Sequence, residues 1–454
     1  MIGYRLVRAL ARLLLSLFYR RIEAPGMDRV PATGPLVVAA HHRNALVDPM
    51  LLLATVPRPL RPLAKAPLFR YPLIGTLLRL AGAIPVHRRQ DPGSDPARNV
   101  EMFRAATTAL AEGGAILIFP EGVSQGEPTL MPLKTGAARI VLATAAARGG
   151  ATDVTLLPVG LVFHEPGTFR TGWALALAGA PVRLDDCVAD YTAAPAEAVR
   201  RLTDRLAAAV RDLGIEAGDR KILRLLTVAR DIWRQEGDRS ADDPASEAAW
   251  MMRATRVFRY LAPREPRRVE ALMQAVERYA MDLDRAGFTG DELRDTYSPG
   301  AVRRFAVREG LALLLGLPLT LWGLVNHGVP YRLTALVARL ARPAADVEAT
   351  YKLIAGLVLY PLSWAVEGWL VWRLGGPWLT ALIVASLAPT GFFALTWWER
   401  IGRVRREARS FVQFLAHGDL RRHLATRRRD LMTELIALAR LVPESAMAGE
   451  RPVD

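Results

Sequence analysis

Apolar and polar positions change their rhythm three times along this chain. Up to about Gly179, short apolar runs alternate with helical stretches. PLVVAA (35–40), GAIPV (82–86), AILIF (115–119), TLLPVGLVF (155–163) and WALALA (173–178) read as buried strands. NVEMFRAATTALAEGG (99–114) reads as a helix between two of them. Such alternation predicts an α/β fold, a sheet flanked by helices. From about Ala196 to Phe305 the pattern turns polar and helical, as in 196–214 and 269–287. Thr289 and Glu292 have the spacing of a capping box. This stretch predicts a helical region packed on the first domain and shows no chemistry of its own.

After Glu309 the apolar runs lengthen. Gly310 to Tyr331 and Leu374 to Trp398 carry no formal charge, and Leu353 to Trp372 carries only Glu367. About 20 apolar residues span a bilayer. LGGP (374–377) is a tight-turn signal, and Trp364, Trp369, Trp372, Trp378, Trp397 and Trp398 cluster around it. The pattern predicts a membrane hairpin over about 353–398. Lys352 precedes it and Arg400, Arg403, Arg405 and Arg406 follow, which places both ends on the cytoplasmic side. The 310–331 run, interrupted by Pro318, spans, re-enters or lies on the membrane. A buried soluble core is the alternative for all three runs. At the N-terminus Leu6, Val7, Leu10, Leu13, Leu14, Leu17 and Phe18 fall on one face, and Arg5, Arg8 and Arg12 on another. That is a basic amphipathic helix, suited either to a membrane surface or to covering a core. The expected organisation is a surface helix (1–24), an α/β domain (25–195), a helical region (196–305), a membrane-embedded segment (306–400) and a cytoplasmic helical tail (401–454).

Composition adds three constraints. With 51% hydrophobic and 23% charged residues, a wholly disordered chain is excluded. The net charge of +15 is almost all arginine, since the lysines are only Lys65, Lys134, Lys221 and Lys352. An excess of this kind suits an anionic partner. Nucleic acid is not that partner: there is no finger, basic zipper or RNA-stacking motif, and the arginines spread over the whole chain. The single Cys187 excludes an intrachain disulfide and a multi-cysteine zinc site, which fits a reducing compartment. The first apolar run, Leu13 to Phe18, is short and meets Tyr19-Arg20-Arg21, unlike a cleavable signal peptide.

The segment 35–56 is the most informative chemically. A strand ends at Ala40, His41 and His42 follow, and Asp48-Pro49 opens an apolar helix. Asp before Pro is an ordinary helix start, with Asp as cap and Pro at the first helical position. A histidine at a strand mouth with a carboxylate a turn away is also a general-base arrangement. In 116–146 a strand runs into Phe-Pro-Glu-Gly (119–122), then a loop, then Lys134 and a helix carrying Arg139. A helix N-terminus flanked by basic side chains suits a phosphate. Arg88 and Arg89 lie just past the strand in 81–91. No Gly-x-Ser-x-Gly is present, which argues against a serine lipid hydrolase.

Taken together, the His…Asp pair, the Ile-Pro-Val strand with its arginines, Phe-Pro-Glu-Gly and the Pro-Val-Gly strand resemble the glycerolipid acyltransferase family over about residues 25–185. The later helices and hairpin are more loosely similar to its dihydroxyacetone-phosphate and glycerol-phosphate branch. The resemblance implies a membrane-bound enzyme in phospholipid biosynthesis, with its catalytic domain on the cytoplasmic side of the cell membrane. It would move an acyl chain from acyl-CoA or acyl carrier protein to glycerol 3-phosphate or lysophosphatidic acid, without metal or cofactor. His42 would be the base and Asp48 its orienting carboxylate. Arg88, Glu121, Gly122, Ser124, Lys134 and Arg139 would bind substrate. Two departures stand out. Five residues separate His42 from Asp48 where the family usually has four, and Val123-Ser124-Gln125 replaces the Thr-Arg-Ser whose arginine binds acceptor phosphate. An acyltransferase for a phosphate-free lyso-lipid, or an inactive membrane scaffold, is the alternative.

Overall fold

The computed structural model describes residues 2–87, 99–125, 130–163, 173–213, 226–233, 244–286, 299–344, 347–416 and 418–443. The runs that read as strands become β2 (Leu36–Ala40), β4 (Ile84–Val86), β5 (Ala115–Ile118), β6 (Thr155–Phe163) and β7 (Trp173–Ala178). Two further strands carry no such signal: β1 (Arg21–Glu23) and β3 (Arg61–Lys65). β1 is at a sheet edge, and β3 (Arg-Pro-Leu-Ala-Lys) begins and ends on exposed charges and buries only Pro62, so neither shows an apolar run. The strand order is β1-β7-β6-β2-β5-β3-β4. Pairing is parallel except between β6 and β7, so the sheet is mixed. β2 and β5 are buried at every position, as central parallel strands covered on both faces must be.

On one face lie α1 (Ile2–Phe18) and α2 (Val47–Thr55), which bury Leu15, Phe18, Leu51 and Leu52 against Val38, Leu117 and Leu161. On the other lie α4 (Asn99–Ala111), α5 (Gly136–Ala147) and α7 (Pro195–Leu213), with Leu110, Val141 and Leu206 against Val37, Ile116 and Leu156. α3 (Pro72–Leu80) and α6 (Asp185–Asp190) complete this domain. The apolar stripe of α1 is divided. Val7, Ala11, Leu15 and Phe18 enter the core, while Ile2, Leu6 and Leu13 face outward. Two arginines of α1 reach across to α2: Arg8 donates to Val56 O (2.9 Å) and the exposed Arg12 to Ala54 O (3.1 Å), capping the carboxyl end of α2.

The helical region contains the stretch 226–233, α8 (Pro244–Leu261) and α9 (Pro266–Ala286). The capping box at Thr289 and Glu292 lies outside the described residues. α10 (Pro299–Ala341) and α11 (Glu348–Ala416) follow, then α12 (Gly418–Ala439), which packs on α9 through Leu424 and Leu431. Gly376 interrupts α11 with φ 74° and ψ −176°, a conformation that β-carbon sterics make costly for other residues. The chain reverses there: a Cβ on Gly368 would stand 3.3 Å from Val384 Cγ2, sixteen positions on. The second arm of α11 runs antiparallel to α10. Trp322 Nε1 donates to Ser386 Oγ (3.0 Å), Trp397 Nε1 to Leu313 O (3.1 Å), and Arg400 pairs with Glu309 (2.5 Å). Both ends of the hairpin touch the α/β domain. Ala349 and Leu353 join its core, and Glu399 pairs with Arg20 (3.5 Å). Among the described residues, two helices, Arg303–Ala341 and Glu348–Arg405, are long and apolar enough to cross a membrane. Much of their surface is exposed hydrocarbon, with Leu374 at 90% and Trp378 at 87% exposure.

Candidate active site

The carboxyl ends of β2 and β5 lie side by side, because these strands are parallel neighbours in register. His41 and His42 leave β2, and Phe119 to Gly122 leave β5. Asp48 is not the cap residue that the Asp-Pro pair suggests. It sits inside the first turn of α2, and Leu46 holds the cap position without a side-chain bond. The reason is what its carboxylate does. Asp48 Oδ2 accepts from the Arg43 and Asn44 amides (2.7 Å each) and bonds His42 Nδ1 (2.9 Å). Asp48 is fully buried, whereas the His42 side chain is 16% exposed. One oxygen therefore closes the 42–48 loop and fixes the imidazole. With Nδ1–H donated to Asp48, Nε2 is the ring nitrogen free to take a proton.

The ring is held from a second side. His42 stacks on Phe119 with centroids 4.1 Å apart and planes at 17°. Glu121 reaches back across the two loops. Its Oε1 accepts the His42 amide (2.7 Å) and its Oε2 accepts the Met131 amide (3.1 Å). Gln125 N–H donates to His42 O (3.1 Å), which lays the segment through Ser124 along the histidine loop. Glu121, expected to shape an acceptor site, thus ties backbone to backbone. Burial raises its carboxyl above the ordinary value, and the two amides partly offset this. His41 is different from His42. Burial, helped by Arg43 and His42, pushes its imidazole down to about 3, so it stays neutral.

Lys134 closes the Phe-Pro-Glu-Gly turn: its amide donates to Pro120 O (2.8 Å). Its side chain lies over Gly122, where an added Cβ would stand 2.6 Å from Nζ, and φ is +73°. Lys134 leads into α5, whose first-turn amides have no partner within the helix and whose Thr135 cap makes no side-chain bond. Arg139 is one turn further on, exposed, with its guanidinium 4.7 Å from the centre of the Phe103 ring on α4. Arg88 lies outside the described residues. The structure thus gathers His42, Asp48, Glu121, Gly122, Ser124 and Lys134, and sets Arg139 against α4. Phe119 and the Arg43 and Asn44 amides carry roles that the residue pattern did not assign. An aromatic before Pro-Glu-Gly is a signal for the first, whereas backbone donors have none. Tyr19 also lies in the core beneath the dyad, its phenol pushed up by burial and by Asp48. Among the described residues no group of three or more His, Cys, Asp or Glu side chains could hold a metal ion.

Residues 21–162 match the family described as Acyltransferase. An uncharacterized acyltransferase of Schizosaccharomyces pombe is 24% identical over 308 residues, 49% of this chain and 45% of that protein. Glycerol-3-phosphate O-acyltransferase 2 of Saccharomyces cerevisiae is 29% identical over 137 residues, 30% of this chain and 18% of that protein. The mouse 1-acyl-sn-glycerol-3-phosphate acyltransferase alpha is 31% identical over 117 residues, 26% of this chain and 39% of that protein. The chain spans less than half the length of each of these relatives.

Proposed function

We propose that this chain, whose residues 21–162 match the Acyltransferase family and resemble glycerol-phosphate acyltransferases, transfers an acyl group from a thioester to a glycerol-phosphate hydroxyl at a membrane. The observation that carries the reading is the 2.9 Å His42 Nδ1–Asp48 Oδ2 bond, with the ring stacked on Phe119 and its backbone clamped by Glu121. His42 Nε2 removes the acceptor hydroxyl proton, and Asp48 stabilises the imidazolium that forms. The acceptor oxygen attacks the thioester carbonyl of acyl-CoA or acyl carrier protein. The tetrahedral adduct collapses to the new ester, and the thiolate leaves with the proton from His42. A positioned base of this kind contributes about 10²–10⁴-fold.

The acceptor is glycerol 3-phosphate or its 1-acyl derivative. The relatives named for those substrates support this, as does Lys134, which lies over Gly122 just before the start of α5. A dianionic phosphate gains there from helix-terminal amides and a compact ammonium together. Arg139, stacked on Phe103, is the weaker candidate, and Arg88 remains a candidate from sequence. Lys134→Ala therefore raises the acceptor KM roughly tenfold to a hundredfold, at about 1.5–3 kcal/mol for a charge-assisted bond, with donor KM nearly unchanged. The chain is held to the cytoplasmic face of the cell membrane by the α11 hairpin, and α10 packs beside it. The outward Ile2, Leu6 and Leu13 of α1 add a surface contact. The deciding experiment incubates purified full-length protein in lipid nanodiscs with radiolabelled acyl-CoA and a panel of acceptors. Labelled lysophosphatidic or phosphatidic acid is the expected product, and faster labelling of a phosphate-free lyso-lipid refutes the acceptor assignment.

A further inference from the structure

The helical region forms a half-open apolar cavity that the transfer chemistry does not use. Its walls come from four segments: the stretch 226–233, α8, α9 and α12. Its volume is about 470 Å³, within the roughly 300–1,000 Å³ range of small-ligand sites. The lining is hydrocarbon and aromatic, including Trp250, Phe258, Leu272, Met273 and Leu435. Among the described lining residues Arg253 alone is charged, and it is exposed at the rim. Trp233 stacks on Trp250 at 5.8 Å to make one wall. Ala229, Ala254 and Ala439 stand at wall positions where a larger side chain would fill the space. Trp250 and Leu226 also pack on Val162, Leu175 and Leu177, so the cavity wall rests on β6 and β7 of the catalytic sheet.

We propose that this cavity binds one long acyl chain, with Arg253 holding the anionic group at the chain's head. An elongated aliphatic ligand fits an apolar chamber between helices, and a single cation at the mouth complements a single anion. Choosing an acyl chain over other apolar ligands rests on the acyltransferase reading above. The same chemistry, a hydrocarbon tail ending in an anion, belongs to a free fatty acid and to the acyl-CoA donor.

The test uses full-length protein in nanodiscs and a palmitate bearing a terminal diazirine. After irradiation, labelled peptides are mapped by mass spectrometry, and labelling is repeated with unlabelled competitors. Label is expected on α8, α9 or α12. Palmitate should outcompete shorter chains, with roughly fourfold weaker binding for each methylene removed. Palmitoyl-CoA competing more strongly than palmitate identifies the donor chain, and palmitate competing while palmitoyl-CoA does not identifies a fatty-acid site; both support the proposal. Ala254→Trp should abolish cavity labelling. Arg253→Gln, at an exposed position, should weaken palmitate binding roughly tenfold with the melting temperature unchanged. Octanoate competing as well as palmitate, or label confined to residues 306–400 and insensitive to both substitutions, overturns it. Acyl transfer measured in the same samples keeps the two readings apart. Transfer without cavity labelling refutes the cavity alone, and cavity labelling without transfer to any acceptor refutes the enzyme alone.

Discussion

Two adjacent histidines separate at the level of single residues. His42 Nδ1 is bound to a buried carboxylate and its ring is partly exposed, whereas His41 is kept neutral by burial. His42→Ala should lower acyl transfer about 10²–10⁴-fold with the melting temperature little changed, and His41→Gln should lower it far less. Steady-state rates with labelled acyl-CoA decide this, and an essential His41 beside a dispensable His42 would refute the assignment. His41 also predicts acid lability. Its folded pKa of about 3 lies below the unfolded value of about 6.5. Between those pH values the unfolded chain binds a proton that the folded chain refuses. Stability is therefore intact above pH ~6.5 and falls as pH drops toward ~3, by up to about 1.4 kcal/mol per unit. Denaturant titrations from pH 7 to 4 should show a shallower slope in His41→Gln than in the parent chain.

Between elements, the contact of α10 with the second arm of α11 depends on missing side chains. A Cβ on Gly323 would stand 2.4 Å from Thr390 O and 3.0 Å from Ala394 Cβ. Small residues let apolar helices approach closely enough for the Trp322–Ser386 and Trp397–Leu313 bonds to form. Gly323→Ala forces the helices apart at a cost of roughly 1–3 kcal/mol. Gly328→Ala, whose Cβ meets nothing within 4 Å, should be neutral or slightly stabilising. Thermal melts in detergent compare the two, and equal losses would show that the close approach has no energetic weight.

For the whole molecule, exposed apolar surface on α10 and α11 is the dominant feature outside the catalytic sheet. Full-length protein should stay in the pellet after alkaline carbonate extraction. A chain ending before Tyr351 should be released or only peripherally bound, although loss of Ala349 and Leu353 from the core should also lower its stability. Full-length protein found wholly in the soluble fraction would contradict membrane integration.

Local order made the central strands legible, because β2, β5, β6 and β7 are continuous apolar runs bounded by polar loops. The same holds for the hairpin turn, since Gly376 supplies a backbone conformation that neighbouring residue types avoid. The residue types of the dyad were legible too. Short strands such as β1 and β3 were not, since their identity comes from hydrogen bonds to distant partners and not from a pattern of their own. Glu121 is the sharpest case. Its position in Phe-Pro-Glu-Gly suggested a ligand contact, yet only the apposition of two loops 79 residues apart turned it into the clamp on His42. The division of the α1 stripe between core and surface was likewise decided by packing, since amphipathic periodicity is the same whether the apolar face meets a sheet or a bilayer.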